Sequence, residues 1–219
     1  MSARKSYNQN CPIAKGLDVL GDRWTLLILR ELVGGPRRYS DLRAELPGIA
    51  TNLLAERLKE LEDAGLVNRA ELPPPIARTV YTLSDIGWQG VLPVLQSFAW
   101  FGLDRIEPVD RGPVSPLTGF LAGIVLAFDP LKAGDLNAAY RVEIDGRRFD
   151  FAVKQGHLGA AHGEPAVTVT ASAVDLANAR LESTEAKRKA ALRRVKFEGE
   201  DDAVDALRTV FSLSPTGGH

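Results

Sequence analysis

Apolar residues recur at helical spacing through the first third of the chain. From Thr51 to Ala64, Leu54, Leu58 and Leu61 fall on one face, while Thr51, Asn52, Glu56, Lys59 and Glu60 fall largely elsewhere. One face suits a core and the other suits water or a partner. Gly65 stops this helix, and an extended segment begins at Leu66-Val67. Upstream, Trp24 to Leu32 carries Leu26, Leu27, Ile28, Leu29 and Leu32, apolar on every side, which predicts a central core helix ended by Gly34-Gly35-Pro36. Between them, Tyr39 to Leu46 reads as a short amphipathic helix capped by the Ser40 hydroxyl, with Pro47-Gly48 as the following turn. Two short helices joined by a tight turn make a helix-turn-helix unit, a pattern that a small helical bundle without nucleic-acid function also shows.

The pattern then changes period. Leu66 to Leu72 and Thr79 to Leu83 are strand-like runs flanking Pro73-Pro74-Pro75 and Arg78, which places a hairpin, a wing, directly after the second helix. Asp85 to Ile106 returns to helical character with Trp88, Val91, Leu92, Val94, Leu95, Phe98, Trp100, Phe101 and Leu103. That is more apolar surface than one core of this size uses. Pro93 is placed to kink the segment, and the aromatic face beyond it is the candidate dimer interface, packing on the second half being the alternative.

Glu107 to Pro116, EPVDRGPVSP, breaks the periodicity and marks a boundary. The expected organisation is residues 1–106, a linker at 107–116, and a second domain at 117–219. The second domain opens with an apolar helix from Leu117 to Phe128. Tyr140, Val142 and Ile144 then alternate with Arg141, Glu143 and Asp145, and Phe149, Phe151 and Val153 with Arg148, Asp150 and Ala152, around the hairpin dipeptide Asp145-Gly146. Further strands are expected at Gly156–Ala160, Ala166–Ala171 and Arg193–Phe197, with helices at Val174–Leu181 and Asp202–Phe211. The predicted class is α+β: an N-terminal winged helix-turn-helix, then an antiparallel sheet with helices on one face.

Composition narrows the function classes. Residues 1–105 carry 13 Lys and Arg against 12 Asp and Glu, a net of +1, so any nucleic-acid affinity rests on the placement of a few cations rather than on a basic coat. Residues 106–219 hold 14 against 16, with one basic cluster at Lys187, Arg188, Lys189, Arg193, Arg194 and Lys196, read as a solvated helix with DNA or an anionic headgroup as the alternative. The three histidines, His157, His162 and His219, show neither nucleophile nor metal spacing, and the glycine-rich strings do not sit as a phosphate loop, so neither an enzyme nor a cofactor is expected. Cys11 is the single cysteine, which excludes an internal disulfide framework and suits a reducing cytoplasm. The longest apolar helix candidate is too short to span a bilayer, and MSARKSYNQN lacks the apolar stretch of a secretion signal.

Several separated motifs in order, CPIA at Cys11, GDRWT at Gly21, GPRRYSDL at Gly35, LLAERL at Leu53, LEDAGLV at Leu61 and YTLS at Tyr81, make residues Tyr7 to Arg105 resemble the HxlR-type winged helix-turn-helix regulators, relatives of the MarR group. The resemblance implies a homodimeric transcriptional regulator that sets one recognition helix per subunit into successive major grooves of a palindromic operator. Base edges would fall to Thr51, Asn52 and Ala55, where Asn52 suits adenine and a methyl suits thymine. Phosphates would fall to Arg37, Arg38, Arg57, Lys59 and Arg78, with a structural salt bridge as the alternative for Arg57. The family often has a capping hydroxyl where this chain has Ala50, so Thr51 is the candidate replacement cap. In some members the cysteine corresponding to Cys11 senses oxidants or electrophiles. Lys15, one turn on, would lower its pKa, while burial at the dimer interface is the alternative.

The second half, through YRVEIDGRRFDFAVKQGHL and AVTVTASAVDL, looks like the sterol-carrier-protein-like fold. That resemblance implies a tunnel for a hydrophobic small-molecule effector lined by Tyr140, Val142, Ile144, Phe149, Phe151, Val153, Val167 and Val169, although the same residues would equally form a filled core. Two readings follow: a ligand-responsive repressor or activator of double-stranded DNA, or a lipid carrier whose helix-turn-helix half only dimerises.

Overall fold

The computed structural model describes residues 6–72, 78–105 and 114–213. The triproline at the wing tip, most of the expected linker, and the chain end with His219 lie outside the described residues. The chain packs as two compact units, Met1–Val91 and Leu92–His219. No described helix is long and apolar enough to cross a membrane.

The first unit follows the apolar periodicity. Helices α1 (Pro12–Leu20), α2 (Thr25–Val33), α3 (Tyr39–Glu45) and α4 (Thr51–Asp63) precede an antiparallel hairpin of β1 (Val67–Leu72) and β2 (Arg78–Leu83). Ile28, Leu29 and Leu32 of α2, Leu42 of α3 and Leu54, Leu58 and Leu61 of α4 belong to the core, all essentially without exposure. Each such side chain contributes roughly 1.5–3 kcal/mol by leaving water. The expectation that α2 is buried all round fails at Leu27, which is 40% exposed. A nine-residue helix in a small unit has neighbours on only some of its sides, however apolar its sequence.

The α2–α3 connection is tied to the hairpin rather than left as a loop. Arg37 exchanges both backbone hydrogen bonds with Tyr81, at 3.0 and 2.7 Å, so the helix-turn-helix and the wing share one backbone ladder. The expected Ser40 cap of α3 is replaced by Asp41, whose carboxylate accepts from the Arg38 N–H at 3.1 Å; Ser40 lies inside the helix and donates to Asp41. Ser84 closes the wing base: its hydroxyl donates to the Gly65 carbonyl at 2.6 Å and accepts from the Gly87 N–H at 2.9 Å. It thereby caps α5 (Asp85–Gly102), an 18-residue helix that continues through Pro93 and crosses from the first unit into the second.

In the second unit, α6 (Pro116–Phe120) widens into a π-helix (Leu121–Val125), where one continuous α-helix to Phe128 was expected. Gly119 and Gly123 face α8 (Ala173–Leu181) so closely that a Cβ would stand 2.7 Å from Ala173 Cα and 2.9 Å from Leu176 Cβ. A short helix α7 (Pro130–Ala133) leads to a five-stranded sheet in the order β5 (His157–Ala160), β4 (Arg147–Lys154), β3 (Asn137–Ile144), β6 (Val167–Ala171), β7 (Lys196–Gly199). Helices α9 (Glu185–Leu192) and α10 (Asp201–Val210) complete it.

The sheet is mixed, not antiparallel as expected, because β6 runs parallel to β3. Short β5 ends at Ala160 opposite Phe151, and β6 starts at Val167 opposite Tyr140, which itself pairs with Phe151. The chain therefore moves sideways at constant height without reversing. The last strand begins at Lys196 rather than Arg193, since Arg194 and Val195 still bond back to Ala191 and Leu192 at the end of α9.

Gly87 supplies a direct test of how the wing base is packed. A Cβ there would stand 2.2 Å from the Leu66 carbonyl oxygen, whereas one at Gly90 on the same helix meets nothing within 4 Å. Gly87→Ala is expected to lower stability by about 1–3 kcal/mol, and Gly90→Ala to raise it by up to about 1 kcal/mol. Thermal melts of the two variants beside the parent check both signs.

Candidate nucleic-acid interface

The leucine stripe of α4 turns its opposite face outward, and that face carries Thr51, Asn52, Ala55, Glu56 and Lys59, all exposed. The start of α4 is set by α3, because the Tyr39 hydroxyl donates to the Thr51 carbonyl at 2.5 Å. Tyr39 was not among the expected site residues; its signal was only its place two residues after Arg37 in GPRRYSDL. Ala50 is the N-cap residue of α4 and no side chain caps the helix. Thr51 does not take the cap over; it is the first helical residue and its side chain stays free. The uncapped N–H groups of the first turn and the positive end of the helix dipole face outward with it, an arrangement suited to a phosphate oxygen.

The expected phosphate contacts divide into two groups. Arg38, at the start of α3, and Arg78, at the start of β2, are exposed. Lys59 is exposed too, held by Asp63 one turn on at 2.9 Å. The other two are turned inward. Arg57 is 7% exposed, pairs with Asp22 of the α1–α2 turn at 3.1 Å and also hydrogen-bonds Glu60, so its guanidinium ties α4 to the GDRW turn. Arg37 points at Glu31, with Nη2 to Oε2 at 3.8 Å and Nε to the Glu31 carbonyl at 3.5 Å. In this arrangement neither presents its charge to a phosphate. Glu31 itself is buried in α2, held by Arg30 at 2.7 Å; burial pushes its carboxyl up from the usual range, and the arginines oppose that shift.

Cys11 stands at the N-cap of α1 and is half-exposed in the single chain. Its thiol is pulled down from the ordinary value by the backbone N–H groups of Ala14 and Ile13. The cause is the helix N-terminus rather than the expected Lys15.

With this geometry in place, the comparisons with known proteins assign a class. The HxlR-like helix-turn-helix family matches residues 19–110. The uncharacterized HTH-type transcriptional regulator YvaP of Bacillus subtilis is 36% identical over 104 residues, covering 47% of this chain and 95% of that protein. The HTH-type transcriptional regulator YodB of the same organism is 38% identical over 95 residues, 42% of this chain and 85% of YodB. The solved structure of YodB in its reduced form covers 45% of this chain and 100% of its own, with 34% identity and a TM-score of 0.38. The chain belongs to the HxlR-like helix-turn-helix family, whose matched relatives are transcriptional regulators.

Two measurements follow from the site. Arg57→Ala is expected to lower stability by about 1–2 kcal/mol, less than a fully buried pair loses because both partner carboxylates remain half-exposed to water. Denaturant unfolding reads it, and an unchanged midpoint would show that the tie carries no load. A lowered thiol pKa populates the thiolate at lower pH, so the rate of Cys11 alkylation by iodoacetamide is expected to reach half its maximum below the pH of about 8.5 at which a free cysteine does.

Proposed function

We propose that this chain is a dimeric transcriptional regulator that reads a palindromic operator with α4 in the major groove. The supporting observation is the outward face at the start of α4, where Thr51, Asn52 and Ala55 are exposed together. Asn52 is the base reader, suited to the N6 and N7 edge of adenine, with the Thr51 and Ala55 methyls against thymine. Arg38 and Arg78 flank the helix in sequence and take phosphates from α3 and the wing. Arg57 and Arg37 act within the fold, so the reading uses fewer cations per subunit than the sequence offers.

Dimerisation supplies the second half-site. Ile13 of α1 is 74% exposed, and Phe98 and Phe101 of α5 are 58% and 68% exposed. Apolar groups of that size left in water are the usual mark of a protein interface. Ligand control is the remaining part of the reading, and it rests on Tyr140. The eight side chains expected to line a tunnel are all buried, with Phe120 of α6 stacked on Phe149 at 4.5 Å and Phe211 set edge-on to Tyr140 at 6.0 Å. Inside this apolar core the Tyr140 hydroxyl has no hydrogen-bond partner. A buried donor without a partner costs about 1–3 kcal/mol, which the polar atom of a small apolar ligand would offset.

Selection of bound genomic fragments with the full chain is expected to return a palindromic sequence. On that operator, Asn52→Ala is expected to weaken binding and relax preference at one base pair, at a cost of about 1–3 kcal/mol. Arg38→Ala should weaken all sequences alike and make the salt slope shallower by about one. Enrichment of no sequence by a dimeric protein would sink the operator reading and leave the carrier alternative. Phe98→Lys with Phe101→Lys should convert the dimer to monomer in light scattering.

A further inference from the structure

A cavity of about 220 Å³ lies where the segment before α1 folds back onto the end of that helix, lined by Ser6, Tyr7, Leu17, Asp18, Gly21 and Asp22. Asp18 builds its wall. One carboxylate oxygen accepts the Tyr7 N–H at 2.8 Å and the other the Ser6 hydroxyl at 2.9 Å, which holds these two residues against the helix. Gly21 adds no side chain, and none fits there, since a Cβ would stand 2.6 Å from the Leu17 carbonyl oxygen. The cavity thus joins one aromatic residue, one aliphatic residue and two carboxylates, with no cation among the described residues that line it.

The second carboxylate is also half of the tie that holds α4. Asp22 meets Arg57 Nη1 at 3.1 Å, and the same Nη1 meets Glu60 of α4 itself. Both carboxylates therefore compete for one corner of the guanidinium, while its buried Nε donates to nothing among the described residues. This is not the two-bond fork that makes an arginine pair strong. Releasing Asp22 leaves the buried Arg57 paired with Glu60, so the release avoids the cost of an unpaired buried charge. The tie is built to be exchanged.

We propose that the cavity binds a small organic ammonium ion, and that the ion draws Asp22 away from Arg57 and so frees α4 from the α1–α2 turn. The ammonium group takes Asp22, with Asp18 lending charge from the same lining, and the apolar body lies against Leu17 and Tyr7, whose ring face attracts a cation. The volume is below the roughly 300–1,000 Å³ of sites for drug-sized ligands, which limits the ligand to about one ring with a short side chain. The site and the exchange stand without DNA; their consequence for an operator rests on the reading proposed above. On that reading a ligand that loosens the seat of α4 binds the DNA-free state better, and by linkage lowers operator affinity.

Isothermal titration of the full chain with benzylammonium chloride tests it, with benzyl alcohol as the neutral match in shape and ammonium chloride as charge alone. Saturable binding of benzylammonium is expected, at least tenfold tighter than either control. Asp22→Asn should weaken it at least tenfold. Tyr7→Ala, at an exposed position whose backbone N–H still serves Asp18, should weaken it at least threefold and carries the test should Asp22→Asn melt early. The exchange predicts opposite signs at the two ends of the tie: Arg57→Gln removes the competitor and tightens binding at least threefold, whereas Glu60→Ala leaves Arg57 to Asp22 alone and weakens it. Unchanged affinity in both variants overturns the exchange. The site is overturned if benzylammonium does not saturate, if a control binds as tightly, or if the folded Asp22→Asn and Tyr7→Ala variants bind as the parent does. Saturating benzylammonium should weaken binding to a selected operator at least threefold, while ligand binding by a chain that selects no operator would sink the operator reading alone.

Discussion

Burial of one leucine stripe fixes what the first unit can present. Leu54, Leu58 and Leu61 bury one face of α4 in the core, and a helix seated on one face has no freedom to rotate about its axis. Thr51, Asn52 and Ala55 are outward because those leucines are inward. The Arg57 tie to Asp22 and the Tyr39 hydroxyl on the Thr51 carbonyl then hold the two ends of that rotation, one through charge and one through the backbone. The Arg37–Tyr81 bridge extends the same constraint to the wing.

Most of the cations expected at a phosphate are engaged within the fold. Of the five cations that stand where a phosphate would be expected, two are folded inward and one is held by a neighbouring carboxylate. On the proposed reading, two free cations of those five supply little attraction to any duplex, and more of the affinity falls to base edges. The uncapped start of α4 adds backbone donors that carry no net charge.

How much of this was legible in the sequence depended on the range of the cause. Helix positions, the hairpin and the Asp145-Gly146 turn follow from residues close together, and the apolar periodicity located nearly all of them. What a cation pairs with is set by tertiary neighbours: Arg57 finds Asp22 thirty-five positions away, and no spacing rule distinguishes it from Arg38. The parallel β3–β6 pairing is likewise non-local, since it depends on where β5 stops. The replacement of the Ser40 cap by Asp41 was a local error: both residues suit a helix start, and the structure places Asp41 at the third position, from which it reaches back to Arg38. The type of the second unit beyond a mixed sheet with helices was not carried by alternation alone.

One helix belongs to two histories. YvaP, matched over 95% of its length by 104 residues, has no room for a counterpart of the second unit. In this chain Gln96 of α5 donates to the Val125 carbonyl at 2.6 Å and Trp100 lies under the Arg180 guanidinium, both within that unit. The division by packing therefore falls within α5, whereas the family match runs on to residue 110. A recombination event or a designed chimaera that exchanged the second half at the linker would carry away the Val125 carbonyl and leave its donor behind.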